Sequence, residues 1–171
     1  DQLNTMILSL VGAIGNNAAV VNDVSGGGVL TQSVLNNTHA KFGDMSQMLT
    51  GQIMSGAAYH DLIGEALDNG ARLFSSDTVT VVNILGKAVI VTDAPALTTA
   101  GTPNVHNVLS LVSGAGVVSD GSDVITNIDT TNGKQRIETT MQADYTFGVG
   151  IKGYSWDAAN GGNSPSDADL A

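Results

Sequence analysis

Residues Tyr59 to Pro95 read YHDLIGEALDNGARLFSSDTVTVVNILGKAVIVTDAP, and this stretch decides the fold. Its first part places apolar residues at helical spacing and ends at Gly70, a residue type favoured just beyond a helix C-terminus. A polar loop follows, and then two runs rich in β-branched residues meet at Leu85-Gly86-Lys87. Because β-branched residues pack well on a pleated sheet, the stretch predicts a helix, a loop and two strands joined by a tight turn.

The segments before this stretch predict two more helices and a strand. Leu3–Ile14 repeats apolar residues at i, i+3, i+4 and i+7, which is the pattern of one helical face. Thr31 is a suitable N-cap for a second helix. Leu49–Met54 predicts a short strand, after which Ser55 caps the helix Gly56–Asn69.

The C-terminal part of the chain predicts a turn-rich segment and a long pair of strands. Asp120–Asp129 is polar and predicts turns, and Asn132-Gly133 indicates a tight hairpin. Gln135–Trp156 alternates apolar and polar residues, which predicts a half-buried strand pair with one face in water. From Asp157 onwards, the composition predicts an extended tail.

Together these patterns predict an α+β protein in which one unit is inserted into another. Helices and short strands alternate from Thr31 to Val118. The first helix and the last long strands bracket this unit. We therefore expect a compact α/β domain carried on an elongated platform that is built from the two ends of the sequence.

The charge and composition of the chain disfavour or exclude several classes of protein and site. The net charge is -10, and only six residues are Lys or Arg. A sequence-independent nucleic-acid binder needs many basic residues to contact phosphates, so this class is disfavoured. The sequence contains no cysteine, which excludes disulfides and thiolate sites. The apolar run Met6–Ile14 is too short to span a bilayer, so no membrane partner is expected.

Three patterns resemble chemical motifs, and none of them predicts an enzyme. Gly148–Gly153 matches G-x-G-x-x-G, but strand-like residues lie on both sides, whereas a dinucleotide site needs a following helix. His39, His60 and His106 lack metal-ligand spacing. Asp120-Gly121-Ser122-Asp123 lacks the full calcium-loop pattern, so a turn is the simpler interpretation. We expect no catalytic residue, no cofactor and no bound metal.

The order of the local motifs resembles that of HK97-fold major capsid proteins of tailed bacteriophages. In these proteins a helix with an aromatic-His-x-Leu motif precedes a loop, a "Leu-Gly-x-x-Val" strand and an acidic-x-Pro exit. The matching residues here are Tyr59-His60-Asp61-Leu62, Leu85–Val89 and Asp93-Ala94-Pro95. Leu3–Ile14 is similar to the end of the family's spine helix, and Tyr145–Trp156 resembles its closing strand.

The resemblance implies the HK97-like capsid fold, with an axial α/β domain inserted in an elongated peripheral domain. In that fold, residues 1–22 are the end of the spine helix, 23–128 the axial domain, 129–157 the peripheral β-strands and 158–171 an extended tail. The family's N-terminal arm and extended loop have no counterpart in this sequence, which resembles the C-terminal portion of such proteins.

The resemblance also implies a structural role in a virion. Copies would form pentamers and hexamers, and these would form an icosahedral phage head that encloses double-stranded DNA without sequence-specific binding. Scaffolding, portal and decoration proteins are the other partners that the resemblance implies, with assembly in the host cytoplasm. The loop after Asn69 would lie at the capsomer axis, where the candidate contacts are Asn69, Arg72, Phe74 and Asp77. For Phe74, ordinary core packing is an equal alternative.

Three other classes stay open at this point. An encapsulin-type nanocompartment shell shares the fold and differs in its cargo. A bacterial surface adhesin fits the Thr, Asn, Gly and Val content, but it should show alternating strands throughout the chain, and the helical patterns at Thr31–Phe42 and Gly56–Asn69 oppose it. An α/β enzyme would need ionisable groups that converge in a pocket.

Overall fold

The protein combines helices and strands in one α+β chain. A computed structural model describes residues 2–68, 82–133, 136–162 and 165–170. Short 3₁₀ helices cover Gly43–Met48 and Pro95–Leu97. In chain order the other elements are α1 (Gln2–Gly15), α2 (Gln32–Ala40), β1 (Leu49–Met54), α3 (Gly56–Asp68), β2 (Val82–Ile84), β3 (Lys87–Val91), β4 (Thr98–Thr99), β5 (Val105–His106), β6 (Leu109–Val112), β7 (Gly116–Asn132), β8 (Ile137–Ile151), α4 (Ala158–Gly161) and α5 (Asp167–Leu170).

The helices begin at the predicted caps. Thr31 Oγ1 accepts a hydrogen bond from the Val34 amide at 3.2 Å, so it satisfies one of the free N–H groups at the start of α2. Ser55 Oγ accepts from the Ala58 amide at 3.3 Å in the same way at α3. Asp93 adds a second acceptor at α3, because its Oδ1 lies 2.8 Å from the Gly56 amide. The positive end of the helix dipole also stabilises a carboxylate at this position. Gly70, the predicted end of this helix, lies outside the described residues.

A four-stranded mixed sheet forms the centre, in the order β2-β3-β1-β6. β1 and β3 are parallel, and the connection between them contains α3. β2 and β3 form the predicted hairpin, in which Leu85 (φ 53°) and Gly86 (φ 75°) occupy the two turn positions. Positive φ at both positions is the geometry that matches the twist of the strands of a two-residue hairpin.

Helices cover both faces of this sheet. Successive residues of a strand point to opposite faces, and β1 shows this with Ile53 and Met54. Met54 joins a cluster with α2 and α3, whose buried members are Leu35, Met54, Ala58, Leu62 and Val89. Ile53 joins a second cluster with α1, whose buried members are Ile7, Leu10, Ile53, Leu97 and Leu109. The described helices and strands therefore form a mixed α+β core, and α1 packs directly on its sheet.

β7 and β8 form a long antiparallel hairpin, and two sequence predictions about it are wrong. Asp120–Asp129 was expected to form turns, yet it lies within β7 and pairs with β8 on both sides of a bulge between Asp120 and Val124. The prediction failed because it weighted Asp and Asn above the alternating Val, Ile and Thr residues between them. The half-buried face predicted for Gln135–Trp156 is exposed along most of β8 in the single chain.

The predicted domain boundaries remain predictions. The boundary between residues 128 and 129 falls within β7, and α1 contacts the sheet. Ala115 accepts a hydrogen bond from the Lys152 amide at 2.9 Å, and Ile151 packs beside the cluster that contains Leu10. The base of the hairpin is thereby joined to α1. Among the described helices, none combines the length and apolar character needed to cross a bilayer.

Candidate functional site

The four predicted capsomer-axis contacts, Asn69, Arg72, Phe74 and Asp77, lie outside the described residues. Their placement stays a prediction. Other surfaces and groups of the described residues have arrangements that bear on function. Three kinds of feature stand out: buried polar contacts around histidines, two open clefts, and an exposed apolar surface on the β7–β8 hairpin.

The three histidines lie in separate places. His39 Nε2 contacts Ser110 Oγ at 3.1 Å, whereas His106 Nδ1 contacts Ser55 Oγ at 3.1 Å and Thr98 Oγ1 at 3.3 Å. His60 is exposed and lies edge-on to Tyr59. Within the part of the chain that the structure describes, no group of three or more His, Cys, Asp or Glu side chains could hold a metal ion.

His39 belongs to a buried polar contact that the sequence did not reveal. Its Nε2 atom lies 3.0 Å from Nε2 of Gln52, which is fully buried in the central strand β1. Burial, and then the positive charge of Lys87, lower the pKa of His39. A neutral imidazole can accept the hydrogen bond from the Gln52 amide. The contact thus ties α2 to β1, and Ser110 extends it to β6.

Lys87 anchors the neighbouring part of the sheet through backbone oxygens. Its Nζ lies 2.6 Å from the Leu49 carbonyl oxygen and 3.2 Å from that of Ser46. These bonds hold β3 against the 3₁₀ segment that precedes β1. The Lys87 contacts and the His39–Gln52 contact both contribute to the fold, and their geometry does not form a reactive site.

The glycine-rich segment Gly148–Gly153 is strand and turn. A β-carbon at Gly148 would lie 2.8 Å from Ser119 Oγ on the paired strand, so glycine permits close packing there. The segment Asp120–Asp123 forms the bulge of β7. A β-carbon at Gly121 would lie 2.8 Å from the carbonyl oxygen of Thr146 across the hairpin. Both segments therefore serve the geometry of the hairpin.

Two open clefts of about 510 Å³ each lie on the surface. One lies between the start of α2 and the exposed side of α3, and it contains His60, Asp61 and Glu65. The other is apolar and contains Phe42, Met45 and Met48. A catalytic pocket is expected to bring a nucleophile and a base together with an ionisable group whose pKa is shifted. Neither cleft shows this arrangement among its described lining residues.

The hairpin beyond the bulge is an exposed arm, comprising residues 124–132 and 137–145. Every residue of the arm with an assigned exposure is exposed to solvent. Residues directly opposite in an antiparallel pair share a face, so the register assigns each side chain to one side. We call one side the apolar face; its members are Val124, Thr126, Ile128, Thr130, Asn132, Ile137, Thr139, Met141, Ala143 and Tyr145.

The opposite side is the acidic face; its members are Ile125, Asn127, Asp129, Thr131, Glu138, Thr140, Gln142 and Asp144. All three carboxylates of the arm lie on this side. Arg136, just before β8, forms an exposed ion pair with Glu138 at 3.4 Å. The apolar face has no charged side chain among the described residues 124–132 and 137–145. The alternation predicted for β8 is therefore real, although none of the residues that the structure describes covers its apolar side.

Comparison with known proteins gives one match that covers the whole chain. The family model described as Gp13-like, major capsid protein 13-like, matches residues 1–171. A search of curated proteins found no match.

Proposed function

The chain belongs to the Gp13-like family of major capsid proteins, and we propose that its copies form the pentameric and hexameric capsomers of an icosahedral phage head. Its role is structural: as a major capsid protein it is a component of the virion, and it associates with copies of itself. The match over residues 1–171 is the observation that supports the proposal most directly. Family membership favours this function over both a surface adhesin and an encapsulin-type shell.

We further propose the HK97 arrangement for this chain. The mixed α+β architecture is compatible with it, because α3 is followed along the chain by the β2–β3 hairpin and the acidic-x-Pro exit. In this arrangement residues 23–128 form the axial domain. Residues 1–22 and 129–157 form the peripheral domain, and 158–171 form the tail. The loop that contains Asn69, Arg72, Phe74 and Asp77 would then contact neighbouring subunits at the capsomer axis.

The charge of the chain suits a shell around packaged DNA. The net charge of -10 gives an overall repulsion between the protein and phosphates, so enclosed DNA would remain unbound and mobile. Scaffolding, portal and decoration proteins are further proposed partners, and the host cytoplasm is the proposed place of assembly. None of these roles requires a cofactor.

Electron microscopy of the native particles tests the proposal. Negative staining, with mass spectrometry of the same particles, should show icosahedral shells in which this polypeptide is the dominant mass, with DNA inside. Fibres or dispersed monomers would contradict the capsid function and favour an adhesin. Shells filled with protein cargo and free of DNA would favour a nanocompartment.

A further inference from the structure

We propose that the apolar face of the β7–β8 arm is an interface that packs against a second copy of this chain. The proposal rests on the capsid function and adds to it a specific contact surface. It concerns residues 124–132 and 137–145, which are far along the sequence from the predicted axis loop.

Among the described residues, none packs over either face of the arm. A two-stranded hairpin alone in water is marginally stable at best, and a packed face is normally needed to support it. Below the bulge the hairpin has such support. Val149 and Ile151 are partly buried, and a β-carbon at Gly116 would lie 3.1 Å from Met6 Sδ on α1. Beyond the bulge this support ends, and the side chains of both strands are exposed.

The two faces of the arm differ in composition. Five large apolar side chains are exposed on the apolar face, and these are Val124, Ile128, Ile137, Met141 and Tyr145. Tyr145 also stacks on Phe147, two residues along the same strand, at a ring distance of 6.2 Å. A contiguous apolar surface rimmed by polar residues marks an interaction site. The acidic face has the composition of a surface that stays in water.

The charge of the chain and the absence of charge on the apolar face favour another copy as the occupant. Each copy carries a net charge of -10, so two copies repel each other, and the repulsion is smallest where they meet through surfaces without charge. The apolar face offers such a surface. A contact there buries apolar side chains while the carboxylates on the opposite side remain solvated.

The size of the surface fits a shell better than an isolated dimer. Nine residue pairs connect Val124↔Tyr145 to Asn132↔Ile137, which gives an arm about 30 Å long and about 10 Å wide. Its footprint is therefore about 300 Å², whereas a stable independent interface buries about 800 Å² per partner. The contact is thus one of several that each copy makes in an assembly.

Two isoleucines on opposite faces of β7, three residues apart, provide a matched test. Ile128 on the apolar face is 64% exposed, and Ile125 on the acidic face is 67% exposed. Ile128→Asp and Ile125→Asp make the same chemical change on the same strand. Association of the full chain should be measured by sedimentation and the products examined by electron microscopy. We expect Ile128→Asp to weaken association by about tenfold or more, as for a central interface residue, and Ile125→Asp to have little effect.

The two readouts separate this interface from the capsid function. Normal shells from Ile128→Asp, or equal losses in both variants, would overturn the interface and leave the capsid function intact. If the wild-type chain associates but never forms shells, and Ile128→Asp loses this association, the result would support the interface and contradict the capsid function. A wild-type chain that stays monomeric at every concentration would overturn the interface.

Methionine oxidation in native particles gives a second measurement that does not depend on recombinant assembly. Met141 is exposed on the apolar face, whereas Met54 is fully buried in the core and serves as the reference for slow oxidation. Peroxide should oxidise Met141 slowly in native particles and rapidly after the particles dissociate into folded subunits. Equal Met141 rates in the two states would contradict the proposal.

Discussion

At the scale of single residues, the contact between His39 and Gln52 is the most informative. Gln52 is fully buried, and in the described structure its Oε1 atom has no hydrogen-bond partner. Its Nε2 atom faces the His39 imidazole at 3.0 Å. A buried amide with one unpaired oxygen is costly, so the remaining bond to His39 matters for the stability of β1. No motif in the sequence marks this pair, because the two residues meet only after α2 packs on the sheet.

The lowered pKa of His39 predicts that stability decreases in acid. Folding lowers the pKa of His39 below its ordinary value of 6.5, whereas the unfolded chain protonates it near that value. The unfolded state therefore binds more protons as the pH falls below that value, and the free energy of unfolding decreases until the folded pKa is passed. Urea unfolding at pH 8 and pH 5 measures this loss.

His39→Gln removes this titration and should reduce the difference in unfolding free energy between the two pH values. His60→Gln is the matched control, because His60 is exposed on α3. The carboxylates are the same in both variants, so their contribution to the pH dependence of the unfolding free energy cancels in the comparison. An acid dependence that His39→Gln leaves unchanged would show that the buried histidine does not contribute to it.

At the scale of secondary-structure elements, helices were easier to predict than the hairpin. The positions of α1, α2 and α3 follow from helical periodicity, and the starts of α2 and α3 follow from the caps Thr31 and Ser55, which act within a few residues. The strand at Asp120–Asp129 was missed because its partner lies on β8 and supplies the hydrogen bonds from a distance. Alternation in β8 identified the apolar side correctly, but periodicity cannot indicate whether the same chain covers that side.

Helix α1 provides a prediction at this scale. Leu10 is 1% exposed and packs against the sheet, whereas Leu3 on the same helix is 51% exposed. Leu10→Ala should lower the free energy of unfolding by about 2–5 kcal/mol because it removes buried methyl groups and leaves a cavity. Leu3→Ala should change it by less than about 1 kcal/mol. Chemical denaturation of both variants measures the difference, and similar values would mean that α1 does not pack on the sheet as described.

At the scale of the whole molecule, the order of elements along the chain can be interpreted from the sequence alone. The stretch from Tyr59 to Pro95 indicated the capsid family, and the family match over residues 1–171 confirms that assignment. The contacts between copies could not be predicted in the same way. They depend on which surfaces remain uncovered after folding, and for the β7–β8 arm this required the register of the hairpin.

The net charge predicts how assembly responds to salt. Copies with a charge of -10 repel one another, and the Debye length falls from about 30 Å at 0.01 M to about 10 Å at 0.1 M salt. Since the apolar face brings no carboxylates of its own into contact, salt removes repulsion without weakening an attractive ion pair there. Light scattering of the full chain should therefore show assembly at a lower protein concentration in 0.1 M than in 0.01 M NaCl. If added salt dissolved the assemblies instead, attraction between opposite charges would be the main force between copies, and the apolar face would not be their principal contact.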